Sequence, residues 1–358
     1  MSKIAGIWSR VQRALFHLEE ALPPLSRPQQ RLVGALEVIQ IERHLSPRCL
    51  QWLGRKRKDR RALARAFVAK ALYNLPTTKL LVERLQADRT LRQLCGWEQG
   101  RQVPSASTFS RAFAEFARLG LTDRVHAALV AEHCQEEIVY HIARDATEIE
   151  AREKPQRKRK RPRYRRGRPK QGERRDPTAS KRLVCQYRQS AAAAIAELPT
   201  VCDVGTKKDS KGHAHHWIGY KFHVDVGDGG LPLAALTTSA SLHDSQVAIP
   251  LMRLTAERVT VLYELMDSAY DAALIRRFSE ELGHVPIIEA NPRRGEAQPM
   301  APDRARRYRR RSQSERFNSD LKDNHGGKSV RVRCHPKVHT HLMFGLLVVF
   351  AKALLGLS

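Results

Sequence analysis

Three acids carry the chemistry that this sequence predicts: Asp145, Asp267 and Glu315. The first two each follow an apolar run, residues 138–143 and residues 259–266, and both runs predict buried strands. Sites in α/β proteins form at the carboxyl ends of strands, because the backbone opens into a crevice there. Glu315 lies among arginines, where a carboxylate can relieve charge or bind a metal ion. An aspartate after a buried strand is also common as a turn or helix cap, so both interpretations stay open.

The segment around Glu315 predicts a basic helix, from about residue 304 to residue 322, with a patterned face. Tyr308, Arg311, Glu315 and Lys322 are spaced by three, four and seven residues. At about 100° per residue, the four side chains fall within a stripe about 60° wide. One face would then present an aromatic ring, a guanidinium, a carboxylate and an ammonium to the same neighbour. The alternative is an ordinary solvated face with an Arg–Glu pair at i, i+4.

The 358-residue chain has a formal net charge of +27, most of it in two blocks. Residues 152–182 hold 16 Lys and Arg against three acids, a net +13, and residues 293–337 hold 14 against five, a net +9. Two such blocks favour two surfaces that contact a phosphate backbone, since each neutralised phosphate releases condensed counterions. In the first block, Arg166 and Arg168 flank Gly167, and a short element of this kind can enter an A·T-rich minor groove. A basic loop with no sequence preference is the alternative.

The composition is that of a folded cytoplasmic protein. With 42% hydrophobic residues, a chain of this length can bury a sizeable core, which excludes disorder throughout. The most apolar stretch, residues 342–351, ends at Lys352 and is shorter than the roughly 20 residues that span a membrane, so we expect no transmembrane segment. The amphipathic N-terminus lacks the apolar core of a signal peptide. Six cysteines without a CxxC motif favour reduced thiols.

Two regions with different secondary-structure patterns must position these residues. Residues 1–135 have helical patterns, including a helix with three phenylalanines on one face and Arg111 beside them. This helix could enter a DNA groove as part of a helix-turn-helix, or its phenylalanines could pack in the core. From about residue 136 a strand and a β-hairpin precede alternating helices and strands, which is typical of an α/β domain with a mixed sheet. The first basic block is then an insertion at about residues 150–210, between the first two strands.

Together these stretches resemble the DDE transposases of bacterial insertion sequences. The first acid lies in Arg144-Asp145-Ala146-Thr147 and the second in Asp267-Ser268-Ala269-Tyr270-Asp271. The third lies in the set Tyr-x2-Arg-x3-Glu-x6-Lys, which marks one group of these transposases. Residues 203–208, 217–223 and 239–245 resemble the family's hairpin and following turn, and residues 104–111 resemble the end of its helical region. The resemblance covers nearly the whole chain, with the motifs in the family's order.

The resemblance implies an α/β fold, with an RNase H-like mixed-sheet catalytic core over residues 136–358. It implies an all-helical domain over residues 1–135 that binds DNA ends or dimerises. Asp145, Asp267 and Glu315 would be the catalytic triad and would hold two divalent ions, Mg²⁺ or Mn²⁺. Such a transposase cleaves double-stranded DNA at the ends of its element and joins the freed 3′-OH to target DNA. Holding two ends together implies a homodimer, in a nucleoid-associated bacterial protein without a membrane partner.

The same resemblance implies DNA contacts for the basic helix. Arg311 and Lys322 would bind phosphates near the element's end, and Tyr308 would contact the backbone or stack on an unpaired terminal base. Arg111, Arg166 and Arg168 are further candidate DNA contacts. Two other functions are compatible with the sequence. One is an RNase H-like nuclease that cuts without joining, and the other is a transposase-derived DNA-binding protein that needs the basic blocks but not the acids.

The remaining acids and the histidines are predicted to be structural. Asp225 is assigned to the sheet, Asp228 to the hairpin turn and Asp244 to the cap of the following helix. Two sets of histidines and cysteines match no common structural zinc site. These sets are Cys202 with His213, His215 and His216, and Cys334 with His335, His339 and His341.

Overall fold

The computed structural model describes residues 24–45, 58–135, 137–155, 182–208, 212–291 and 299–356. In chain order the described helices before the first strand are α1 (Arg27–Ile39), α2 (Arg60–Leu72), α3 (Thr78–Ala87), α4 (Arg89–Cys95), α5 (Ala106–Arg118) and α6 (Leu121–Cys134). The described strands are β1 (Ile138–Glu150), β2 (Asp203–Lys208), β3 (Ala214–Val226), β4 (Pro232–Ser239), β5 (Thr260–Met266) and β6 (Val285–Ile288). The later helices are α7 (Arg182–Arg188), α8 (Ala191–Ala196), α9 (Ser245–Ala256), α10 (Ala273–Glu281), α11 (Pro302–Tyr308), α12 (Ser312–Asn324) and α13 (His335–Leu355).

The chain divides into two compact units. The helical unit contains residues 1–135, 229–232 and 315–358, and the sheet unit contains residues 136–228 and 233–314. The first segment of the helical unit ends at residue 135, and the sheet unit begins at residue 136. Residues 315–358 differ from the prediction, which placed them with the sheet, because the apolar helix α13 packs among the N-terminal helices.

Helix α13 is the core of the helical unit. It contacts α1, α2, α5 and α6, and residues 342–351 are all buried. The Phe344 ring lies 5.6 Å from the Phe67 ring, centroid to centroid. By length and composition alone α13 could cross a membrane, but 72% of its most apolar window is buried inside the protein. A helix that is apolar all round and buried in this way is typical of a core helix.

The three phenylalanines of α5 also pack in this core. Phe109, Phe113 and Phe116 are buried, with ring centroids between 4.9 and 6.2 Å from that of Phe67. The predicted packing of these phenylalanines in the core is therefore confirmed. Arg111 lies on the exposed part of the same helix.

The sheet unit is built on a mixed sheet of order β2-β3-β1-β5-β6, and β4 also pairs with β3. β1 is antiparallel to β3 and parallel to β5, and β5 is parallel to β6. The predicted mixed sheet is therefore confirmed. The β3–β4 hairpin turns at Gly229 and Gly230, whose φ angles of 75° and 78° lie in the left-handed region that glycine adopts without a steric cost.

Helices α9 and α10 pack on this sheet. Ile249 and Met252 of α9 and Phe278 of α10 form a buried cluster with Met266 and Ile288 from the ends of β5 and β6. α7 and α8 also pack against α9, and the sequence patterns did not predict these two short helices. The buried helical layer fixes one face of the sheet, so that the carboxyl ends of β5 and β6 are held in a rigid frame.

Candidate active site

Asp145 and Asp267 lie side by side on neighbouring strands. The last registered pair between the parallel strands β1 and β5 is Arg144 with Met266. The two aspartates are the next residues on these strands, and neighbouring strands lie about 4.8 Å apart. The negative charge of Asp267 contributes to a raised pKa of Asp145, which agrees with this proximity. The sheet thus brings the two predicted aspartates together.

The position of Asp145 within its strand corrects the sequence prediction. The apolar run predicted a strand that ends before Asp145, but β1 continues to Glu150. It does so because β3 pairs with it along this whole stretch, with Asp145 opposite Val224. Asp145 therefore lies inside a long strand, at the point where the parallel partner β5 ends.

The surroundings of both aspartates disfavour the ionised form of the carboxyl group. Burial raises the pKa of Asp145 to about 6, and the charge of Asp267 adds to the rise. The backbone N–H of Ala146 and the charge of Arg311 act in the opposite direction. Burial likewise raises the pKa of Asp267, against the backbone N–H of Ala269 and the charge of Arg311. Two crowded, poorly solvated carboxylates of this kind are stabilised by a cation.

Asp267 belongs to this pair and also caps the short 3-10 turn that follows it. Its Oδ1 accepts a hydrogen bond from the backbone N–H of Ala269 at 2.9 Å, at the start of the 3-10 turn Ser268–Tyr270. The capping role that the sequence left open is therefore present. It also fixes the carboxylate in one orientation next to Asp145.

Arg311 forms an ion pair with this site. Its Nη1 lies 3.8 Å from Asp145 Oδ1, and the two side chains are 20% and 18% exposed. Arg311 belongs to a 3-10 turn, Arg309–Arg311, which separates α11 from α12. The segment is helical over the predicted range, but this turn interrupts the single α-helix that was predicted. Because a 3-10 turn has about three residues per turn, the 60° stripe calculated for a continuous α-helix does not hold across it.

Tyr308 precedes that turn and contacts a carboxylate that the sequence patterns did not single out. Its hydroxyl donates to Glu289 Oε2 at 3.1 Å, and the Arg311 guanidinium carbon lies 5.9 Å from its ring centroid. Burial is the main reason that the pKa of Tyr308 is raised. Glu289 follows β6 directly, and its backbone N–H donates to Met266 O. Asp145 and Asp267 were predicted because each follows an apolar run. The same pattern could have predicted Glu289, which directly follows β6.

Two arginine contacts anchor the segment around this turn on the sheet. Arg310 Nη1 lies 3.4 Å from Asp228 Oδ1, and the Arg307 guanidinium carbon lies 4.1 Å from the Tyr263 ring centroid. His141 stacks on the same Tyr263 ring with the centroids 5.4 Å apart. These contacts hold the turn against β1 and β5, near the aspartate pair.

A buried charged network lies directly before the pair. Arg144 Nη2 lies 2.6 Å from Asp225 Oδ2 and 3.1 Å from Glu264 Oε1. Asp225 Oδ2 also accepts from the Thr255 hydroxyl, and Glu264 Oε2 accepts from Ser279. Asp225 is structural, as predicted.

Glu315 and Lys322 both lie on α12. They are seven residues apart, about two α-helical turns, so they share one face of that helix. Glu315 is exposed and is grouped with the helical unit, whereas Arg311 is grouped with the sheet unit. Within the helical unit the later part of α12 is held by Asp320, whose carboxylate accepts from Lys352 Nζ of α13 at 2.7 Å.

The other predicted residues have simpler surroundings. Arg111 Nη2 donates to the Thr108 hydroxyl at 3.5 Å, and Arg166 and Arg168 lie outside the described residues. Asp228 accepts from the backbone N–H of His141, in agreement with a structural role in the turn. Asp244 precedes α9 but makes no cap bond, since its Oδ1 accepts from Lys221 Nζ.

The aspartate pair suits a hard divalent ion better than zinc. Across the described residues, no group of three or more His, Cys, Asp or Glu could hold a metal ion. Two adjacent carboxylates with raised pKa values still fit Mg²⁺ or Mn²⁺, because such ions bind through one or two carboxylates and keep several waters. Asp145 and Asp267 are thus two carboxylates that the sheet unit brings together.

Comparison with known families agrees with this geometry. The model of the transposase DDE domain matches residues 140–350, more than half of the chain. A second model, described as a transposase domain, matches residues 16–115. The chain matches no curated protein and no solved structure. A mixed sheet with paired carboxylates and a DDE-domain match defines the class: the chain belongs to the DDE transposase family.

Proposed function

We propose that this protein cleaves double-stranded DNA at the ends of its own insertion sequence and joins the freed 3′-OH to target DNA. The observation that carries this proposal is the pairing of Asp145 with Asp267 at the end of β5, within the region that matches the transposase DDE domain. The spacing of Tyr308, Arg311 and the two α12 residues supports a bacterial origin in the group with the Tyr-x2-Arg-x3-Glu-x6-Lys signature.

An RNase H-like core is the second part of the proposal. Its support is the strand order: a long first strand is antiparallel to one neighbour and parallel to the other, and the carboxylates lie where the parallel strands end. The helical region within residues 1–135 would bind DNA ends or contribute to a homodimer. The protein would act in the bacterial cytoplasm, on the nucleoid.

Asp145, Asp267 and Glu315 form the proposed triad. The carboxylates would hold two Mg²⁺ or Mn²⁺ ions, which supply activation of the attacking oxygen and stabilisation of the leaving oxygen when bound. In the first step a water oxygen bonds to phosphorus and the 3′ oxygen leaves with a proton. In the second step that 3′-OH attacks a target phosphodiester, and a target 3′-OH is released. Each step exchanges one P–O bond for another, so no oxidant or covalent protein intermediate is needed.

The basic residues would hold the DNA. Arg311 and Lys322 are the proposed phosphate contacts, since guanidinium and ammonium groups make charge-assisted hydrogen bonds to phosphate. Tyr308 has a half-buried ring and would stack on an unpaired terminal base. Arg111, Arg166 and Arg168 would contact the flanking backbone, and the two arginines around Gly167 could enter a minor groove.

The test compares two aspartate variants on DNA that carries the element's own ends. Asp267→Asn should lower Mg²⁺-dependent nicking at least about 100-fold, because several kcal/mol of transition-state stabilisation depend on the metal ligands. Asp271→Asn is the matched control, since Asp271 lies in the same loop but pairs with Arg276. Equal nicking by Asp267→Asn and wild type would refute the site. Joined products on a gel would separate transposition from simple nuclease activity, and any turnover by wild type would exclude a protein that only binds DNA.

A further inference from the structure

We propose that Arg311 is the resident counter-cation of the Asp145–Asp267 pair, and that a divalent ion must displace its guanidinium in order to bind there. The inference rests on the proposed function only in taking this pair as the metal site. It adds a role for Arg311 in the DNA-free protein, in addition to the proposed contact with phosphate.

The geometry places the positive charge of Arg311 next to Asp145. Arg311 Nη1 lies 3.8 Å from Asp145 Oδ1, in a region where both side chains are about four-fifths buried. The same charge acts on Asp267. A guanidinium at this position therefore compensates the repulsion between two carboxylates that burial has deprived of water.

Contacts of the neighbouring arginines hold the backbone of the turn that carries Arg311. Arg310 pairs with Asp228, and Arg307 lies over Tyr263, so two contacts on the N-terminal side of Arg311 hold the chain on the sheet. The ion pair to Asp145 is longer than a hydrogen bond. A long, flexible side chain can leave such a contact by rotation about its own bonds while the turn stays in place.

The charge of Arg311 would then determine whether the metal ion or the DNA binds first. A divalent ion bound by Asp145 would face a guanidinium only a few ångströms away, and this repulsion weakens its binding. A DNA phosphate near the site offers Arg311 a stronger, bidentate partner. If phosphate draws Arg311 away, the aspartates bind metal more tightly, and by thermodynamic reciprocity bound metal favours the DNA contact. Arg311 would in this way delay metal loading until DNA is present.

The test is a titration of metal-free, full-length protein with Mn²⁺ in the absence of DNA, followed by the electron paramagnetic resonance signal of free Mn²⁺. Arg311→Gln removes the charge and should tighten Mn²⁺ binding about three- to tenfold. Arg311→Lys keeps the charge and should bind close to wild type. Arg309→Gln is the matched control: it neutralises an exposed arginine of the same turn and should leave the affinity unchanged.

The variant Asp145→Asn tests whether the measured Mn²⁺ binds at this aspartate pair. Loss of Mn²⁺ binding in that variant, together with tighter binding only in Arg311→Gln, supports the proposal. Unchanged binding in Asp145→Asn would overturn it, as would Arg311→Gln binding no more tightly than wild type or no differently from Arg309→Gln. Circular dichroism of each variant verifies the fold. Because no cleavage is measured, this result is independent of whether the protein nicks or joins DNA.

Discussion

Arg144 and Asp225 face each other across β1 and β3, with Nη2 and Oδ2 2.6 Å apart and both side chains fully buried. The same guanidinium nitrogen reaches Glu264 on β5. One charged group therefore ties three neighbouring strands together, one residue before Asp145. Because a change in strand register would separate these charges inside the core, the network holds the register that places Asp145 next to Asp267.

Removal of this arginine should destabilise the sheet unit strongly. Arg144→Met leaves Asp225 and Glu264 buried without their counter-charge, at a cost of about 3–5 kcal/mol in the free energy of unfolding. Urea denaturation followed by circular dichroism measures it. Arg277→Met is the control, because its ion pair with Glu281 lies on an exposed helix face and should matter much less. Similar losses in the two variants would contradict a structural role for the buried network.

Stability should depend on pH through Asp145. Its pKa is about 6 in the folded protein against an ordinary value of 3.8, chiefly because of burial, so the folded state binds this proton more tightly than the unfolded state. The aspartate therefore costs stability when it ionises, and this cost disappears as the pH falls through about 6 towards 4. In metal-free protein, Asp145→Asn should be more stable than wild type at about pH 7.5, by on the order of 2 kcal/mol. The difference should vanish near pH 4, and a difference that is constant with pH would disprove this origin.

The helices and the fold class could be predicted because their signals are local. Helix α3 begins after Thr77, whose hydroxyl accepts from Leu80 N–H, and α4 begins after Asp88, whose carboxylate accepts from Leu91 N–H. Such caps and the apolar period belong to short stretches of sequence. The helical patterns within residues 1–135 predict these helices for this reason.

The details of the candidate site depend on contacts between distant residues and could not be predicted in this way. By its charge, Arg144 is expected to end an apolar strand, yet Asp225, 81 positions away, allows it to be buried within β1. An uninterrupted arginine run likewise predicts one helix. In the structure Asp228 and Asp145 bind Arg310 and Arg311, and the chain forms a 3-10 turn between the two helices.

The ring of Tyr308 should matter more than its hydroxyl for holding an end of DNA. Tyr308→Phe removes the hydrogen bond to Glu289 but keeps the ring. It should bind DNA within about threefold of wild type if stacking dominates, because the lost hydrogen bond joins two protein groups and makes no contact with DNA. Tyr308→Ala should lose about 1–3 kcal/mol, the value of one base–aromatic stack. Quenching of 2-aminopurine placed at the terminal base reports the stack directly. Glu289→Gln still offers the hydroxyl an acceptor and serves as the control, and unchanged quenching in Tyr308→Ala would exclude stacking.

The first basic block should dominate the salt dependence of DNA binding. Residues 156–181 lie outside the described residues, so this expectation comes from their charge alone. Replacement of five arginines or lysines in residues 157–165 by serine should reduce the slope of log K against log salt by about 0.9 for each phosphate that the protein no longer neutralises. The weakening should be similar on all sequences. The double variant Arg166→Ser/Arg168→Ser separates the minor-groove interpretation from a general one, since a loss confined to A·T-rich sites requires insertion into the groove. Fluorescence anisotropy on A·T-rich and G·C-rich duplexes at several salt concentrations measures both effects, and an unchanged slope in the five-residue variant would mean that the block does not bind phosphate.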